Sequence, residues 1–276
     1  MRRALTTIAV LTLMAGNGCA SEKNSADTKE RASRSSDTPT TPALDPTASA
    51  LVGRYAHYDV VAYEGDGLKN LIISYGFTDL TAKDGKLWAK ESFCHADQRS
   101  DQPIETSISD AATSAIKPVP TPVTVSVKDG KVTLARPETP TGIGIHLEDP
   151  ANDKLPTDPS DPRVADDDHD GKPGITVRIK VSEDFQGELY IARREIFAYN
   201  VEKQDDASLV GTVSDRSEQL VVGATDEVFN RTANWAQHPD LTKSPIVLVP
   251  VKGTWDCTRL MASRDDLFPP APVVDW

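Results

Sequence analysis

The sequence predicts an all-β fold: an antiparallel meander barrel or sandwich of about ten strands, with one short helix near 225–235. Three features predict it. Many short runs alternate apolar and polar residues, turn-forming pairs separate them, and helix signals are few. Consecutive short strands without intervening helices favour antiparallel pairing over a parallel sheet. The regular spacing of hairpins favours a meander barrel.

The elements follow in order. Gly53 to Tyr63 is rich in Tyr and Val, and Leu68 to Phe77 contains Leu71-Ile72-Ile73. Lys86 to Cys94 follows the turn pair Asp84-Gly85. Val123 to Val127 and Val132 to Ala135 flank Lys128-Asp129-Gly130-Lys131, a hairpin signal. Ile143 to Leu147 alternates through Gly144 and His146. Ile175, Val177, Ile179 and Val181 share one strand face, with Thr176, Arg178 and Lys180 on the other. Glu188 to Tyr199 is a longer strand, and Leu209 to Val213 with Gln219 to Val222 suggests a further hairpin. Ile246 to Val251 and Thr254 to Leu260 are expected to close the domain as strands. The helix expected at Thr225 to Trp235 has Thr225 as its cap and Asp226 and Glu227 in its first turn.

The N-terminus carries an export signal. Arg2 and Arg3 precede an apolar run from Ala4 to Ala15, about the length of a signal-peptide core and too short to span a bilayer. Gly16-Asn17-Gly18-Cys19 follows, and a small residue directly before a cysteine resembles the lipobox of bacterial lipoproteins. That resemblance implies a diacylglyceryl group on Cys19 and removal of residues 1–18. Gly16 stands where that box usually has an aliphatic residue, and secretory cleavage after Ala20 is the alternative. The residue after Cys19 is Ala20 and not the aspartate that marks inner-membrane retention, so the resemblance favours an outer-membrane anchor. Residues 19–48 are rich in Ser, Thr, Asp, Lys and Pro and read as a disordered tether. A single domain is expected over 49–268, with an extended, loose tail over 269–276.

Composition narrows the function. Without residues 1–18, which hold two arginines and no acid, 28 Lys and Arg face 42 Asp and Glu, a formal charge of −14. Phosphate binding needs clustered cations, so nucleic acid is not an expected partner. With Cys19 acylated, Cys94 and Cys257 remain as a pair for one long-range disulfide, expected to tie an early strand to the last one.

One motif carries chemistry. Asp166, Asp168, Asp170 and Gly171 form D-x-D-x-D-G within the acidic loop 149–173. Carboxylates at alternate positions of a tight loop can converge on calcium, which takes six to eight oxygen ligands. The segment resembles the loops of EF-hands, dockerins and thrombospondin type 3 repeats. By that resemblance Asp166, Asp168 and Asp170 are side-chain ligands and Lys172 offers its carbonyl. The twelfth position, a bidentate Glu in EF-hands, is Val177 here, so further ligands would come from Asp158, Asp161 or Glu148. A calcium ion held this way is expected to order the loop. The stretch from Asp166 into Gly187-Glu188-Leu189-Tyr190-Ile191-Ala192-Arg193-Arg194 also resembles a group of uncharacterised bacterial lipoproteins, and that resemblance implies no activity.

The expected function is therefore a non-enzymatic, lipid-anchored β-domain with a structural calcium loop, binding a protein or small molecule or acting structurally. Two other readings stand beside it. Gly53-Arg54-Tyr55 resembles the G-x-W/Y element that opens calycin barrels such as lipocalins, which implies a small apolar ligand in the interior. A surface hydrolase would need a carboxylate or metal site, such as Glu188 with Glu195 or Asp59 with Glu64. One of Arg193 and Arg194 is expected to face inward and pair with an acid. The five histidines show no zinc spacing.

Overall fold

The computed structural model describes residues 43–232 and 234–276. The expected signal peptide, Cys19 and the tether as far as residue 42 lie outside the described residues. Asp45 caps a single helical turn, α1 (Pro46–Ser49), by accepting from the Thr47 and Ala48 amides. The strands β1 (Gly53–Gly65), β2 (Leu68–Lys83) and β3 (Lys86–Ser100) then run as a meander. Next come β4 (Glu105–Ile108), a short helix α2 (Asp110–Ala115), and the hairpin β5 (Thr121–Lys128) and β6 (Lys131–Ile143). Beyond the acidic loop lie β7 (Ile175–Ser182), β8 (Phe185–Lys203), β9 (Leu209–Asp215), β10 (Glu218–Ala224), β11 (Ala236–Gln237) and β12 (Pro245–Val251). The helix α3 (Cys257–Leu267) follows.

Three tight turns set the early registers. Asp66-Gly67, Asp84-Gly85 and Asp129-Gly130 all have positive φ at both residues. That is the backbone of a two-residue type I′ turn, whose twist matches the flanking strands.

Eight strands close into a ring. β1, β2, β3, β5, β6, β8, β9 and β12 pair antiparallel in chain order, and β12 returns to β1. It is a meander, as expected, but not a regular barrel. β3 and β5 share only the pairs from Leu87↔Val123 to Ala89↔Thr121, and register shifts interrupt β2–β3 and β6–β8.

The long strand β8 explains the irregularity. Its C-terminal half lies between β6 and β9, within the ring. Its N-terminal half changes partners, pairing with β7 on one side and β10 on the other. β4 adds to β7, and β11 adds to the end of β1. The ring therefore flares at one end, where β4, β7, β10 and α2 replace the simple continuation of β5, β6 and β9.

Both faces of β1 and β2 are buried, for different reasons. Tyr55, Val61 and Tyr63 point inward with Leu80, Leu134, Tyr199 and Leu248. Ala56, Tyr58 and Val60 point outward, under Leu260 of α3 and Phe268. The Phe268 ring stacks on Tyr58 with centroids 5.4 Å apart. The Cys94–Cys257 disulfide, with Cα atoms 5.3 Å apart, ties β3 to this covering layer.

Several expectations are corrected. Thr254–Leu260 is not a final strand: Asp256 accepts from the Arg259 amide and starts α3, so the disulfide joins a strand to a helix. Of the helix expected near 225–235, a 3-10 turn at Glu227–Phe229 is present, capped by Asp226 and not by Thr225, whose hydroxyl accepts from the Glu188 amide. The alternating run through Leu147 leaves β6 at Ile143, and Ile145 keeps a single bridge to Val164. The tail is extended but not loose. Arg99 donates to the Ala271 and Pro272 carbonyls, Lys69 to the Trp276 carbonyl, and Lys243 pairs with Asp275.

Candidate binding cavity and metal loop

The flared end forms a half-open cavity of about 400 Å³. Its volume is far above the roughly 10–15 Å³ that one water needs, and within the ~300–1,000 Å³ range of small-molecule sites. The alternation of the strands builds it. Val61 and Tyr63 of β1, Ile72 of β2, Ile143 of β6, Val177 and Ile179 of β7 and Ile191 of β8 project inward, and Ala112 of α2 and Ile116 just after it close one side. Ser109 starts α2 by accepting from the Ala112 amide, and His95 on β3 holds Asp110 at 2.6 Å. Val181 and Phe185 stand exposed at the β7–β8 turn, where Phe185 stacks on Phe229. A second depression, of about 600 Å³ beside Trp88, is lined by Lys83, Lys90 and Asp79.

Charged side chains sit where the cavity meets the filled half of the ring. Arg193 donates to the Tyr63 hydroxyl at 2.6 Å, and that hydroxyl donates to Asp215 at 2.5 Å. Arg193 also lies 3.6 Å from both Asp215 and Glu195. His57 bridges Thr78 (2.7 Å) and Asp59 (2.8 Å). Deeper in, Arg136 contacts Glu91 at 2.8 Å and donates to the Phe197 carbonyl at 2.6 Å. Burial pushes the Glu195 carboxyl up to about 7; Arg193 opposes this, and the charges of Asp215 and Asp59 add to it. Arg193 keeps its charge, because Tyr63, Asp215 and Glu195 outweigh the cost of burying it.

The acidic loop lies apart from the cavity lining. One carboxylate oxygen from each of Asp166, Asp168 and Asp170 lies within 4.8 Å of the others, so this cluster could hold a metal ion. Backbone geometry gathers them. Asp166 accepts from the Asp170 and Gly171 amides, Gly171 turns at φ 83°, and Asp170 accepts from the Lys172 amide. Asp168 is 8 % exposed; its Oδ2 accepts from the Thr176 amide, while its Oδ1 has no hydrogen-bond partner. Burial raises the Asp168 pKa, and the neighbouring Asp170 and Asp166 charges add to it against the Thr176 bond. An orphaned buried oxygen among three carboxylates is what a hard cation would satisfy.

The other expected ligands have different work. Asp161 holds the Arg163 guanidinium at 2.8 Å, Asp158 caps its own turn through Ser160, and Glu148 is exposed. The Lys172 side chain pairs with Glu188 and stands 3.8 Å from Asp170. Asp167 instead accepts from the Gly144 amide and pairs with His146 at 3.1 Å. Arg193 faces inward and Arg194 outward to Glu218, as the strand period implies.

No family model matches the chain, and no curated protein or solved structure is similar to it.

Proposed function

We propose that this is an exported, non-enzymatic binding module, lipid-anchored through Cys19, whose flared ring holds a small apolar ligand. The cavity carries the reading: its size is that of a small-molecule site, and it is lined largely by aliphatic side chains. Eight-stranded rings are just wide enough to hold one small ligand, as lipocalins do. The neutral apolar fluorophore N-phenyl-1-naphthylamine tests it. The full chain is expected to bind the dye saturably in the micromolar range, about −8 kcal/mol. Val177→Trp, which fills the cavity, is expected to weaken binding at least tenfold. Equal binding by the folded variant, or none by the parent chain, would refute the reading.

The acidic loop is proposed as a structural calcium site. Three carboxylates and the Lys172 carbonyl leave coordination to be completed by water, which suits the roughly 10⁻⁴–10⁻³ M affinity of extracellular modules. Calcium at ten- to a hundredfold excess over its Kd stabilises by about 1.4–2.7 kcal/mol. Thermal melts are expected to rise with calcium in the parent chain and to stay put in Asp168→Asn. A rise of equal size in both would place the ion elsewhere.

The anchor is testable separately. Cys19→Ser is expected to move the chain from the outer-membrane fraction to the soluble one. Retention in the membrane would exclude a lipid on Cys19.

A further inference from the structure

We propose that the ligand of the cavity is an amphiphile with a cationic head, an alkylamine in chemical class, whose nitrogen pairs with Glu195. The inference rests on the cavity reading and adds the head group to it. Glu195 lies on the cavity wall, its side chain 19 % open to that space, and its nearest partner among the described residues is the Arg193 guanidinium at 3.6 Å. That guanidinium already donates to Tyr63 at 2.6 Å. Asp215, the third acid here, is taken by the Tyr63 and Ser217 hydroxyls. Asp59 is taken by His57. Glu195 is left as the carboxylate with room for a donor.

The balance of charge selects the sign of the head. Glu195 and Asp215 flank one guanidinium, Arg193, and the Asp59 charge also acts on Glu195; Arg136 acts on Glu195 too but is engaged by Glu91. A carboxylate head would meet three acids and an occupied arginine. An ammonium head would relieve their repulsion and supply the missing donor. The apolar wall of Ile72, Ile143, Val177 and Ile191 would take the chain.

Protonation gives a signature. Burial pushes the Glu195 carboxyl up to about 7, and an ammonium beside it favours its ionised form. Binding of the amine therefore releases a proton below that pH, and its affinity rises between about pH 6 and pH 8. Titration calorimetry of the full chain with octylamine, 1-octanol and octanoate reads this. Octylamine is expected to bind about tenfold tighter than 1-octanol near pH 8, octanoate weakest, with the amine's advantage shrinking toward pH 6. Glu195→Gln is expected to erase that advantage. An amine no tighter than the alcohol, an advantage independent of pH, or one that survives Glu195→Gln would overturn the head-group inference while leaving an apolar site standing. Binding of none of the three would overturn both.

Discussion

Replacing Cys94 and Cys257 with alanine is expected to lower the stability of the folded chain by about 5 kcal/mol. The bridge closes a loop of 163 residues. By the chain-entropy relation, a loop of that length removes on the order of 5 kcal/mol of unfolded-state entropy. The effect acts through the unfolded chain, so the denaturant midpoint should fall and the slope should rise, because the unbridged chain exposes more surface. Reduction of the unmodified protein should act in the same direction without removing the buried sulfur of Cys94. A loss below about 1 kcal/mol would mean that α3 and the tail hold the outer face alone, through Leu260, Phe268 and the Arg99 contacts.

Glu91→Ala is expected to cost about 3–5 kcal/mol. Glu91 and Arg136 are each 2 % exposed, and their charges lie 2.8 Å apart. Removing the carboxylate strands a guanidinium that keeps only the Phe197 carbonyl and the Phe197 and Tyr199 rings beside it. The contact is not a well-aligned hydrogen bond, since Arg136 Nε and Glu91 Oε2 both lack one. The pair therefore repays little of its desolvation, and the double change Glu91→Leu with Arg136→Met is expected to be near neutral. Chemical denaturation of the two variants checks this. A double change as costly as Glu91→Ala alone would show that the pair itself stabilises the fold.

The strands were legible because both signals that define them are local. Alternation along Ile175–Val181 and the Asp-Gly pairs depend on neighbours in sequence, and both recur in the structure. The helix α3 was not legible as one. Thr254-Trp255-Asp256 reads as a strand end, and only the cap at Asp256 followed by Arg259, Leu260, Met261 and Ala262 marks a helix start. The place of the cavity was not legible, because it arises where β8 exchanges β6 and β9 for β7 and β10, a long-range choice. The charged cluster leaves a trace in the sequence. Ile191, Arg193, Glu195 and Phe197 share one face of β8, and His57 and Asp59 share one face of β1. Charges in the middle of an apolar face mark either a buried pair or the polar end of a binding site. The three aspartates of the acidic loop come together as their spacing implies, while Asp158 and Asp161 do not join them, since each has a nearer partner.

On the proposed function, an apolar ligand would occupy the flared end of the ring. The most direct test is methyl-labelled NMR of the full chain with 1-octanol, recording magnetisation transfer from the ligand chain to protein methyl groups. Transfer is expected to the buried methyls of Ile143, Ile175, Val177 and Ile191. Transfer confined to the exposed Val127 and Val228, or none at any alcohol concentration short of denaturation, would contradict it.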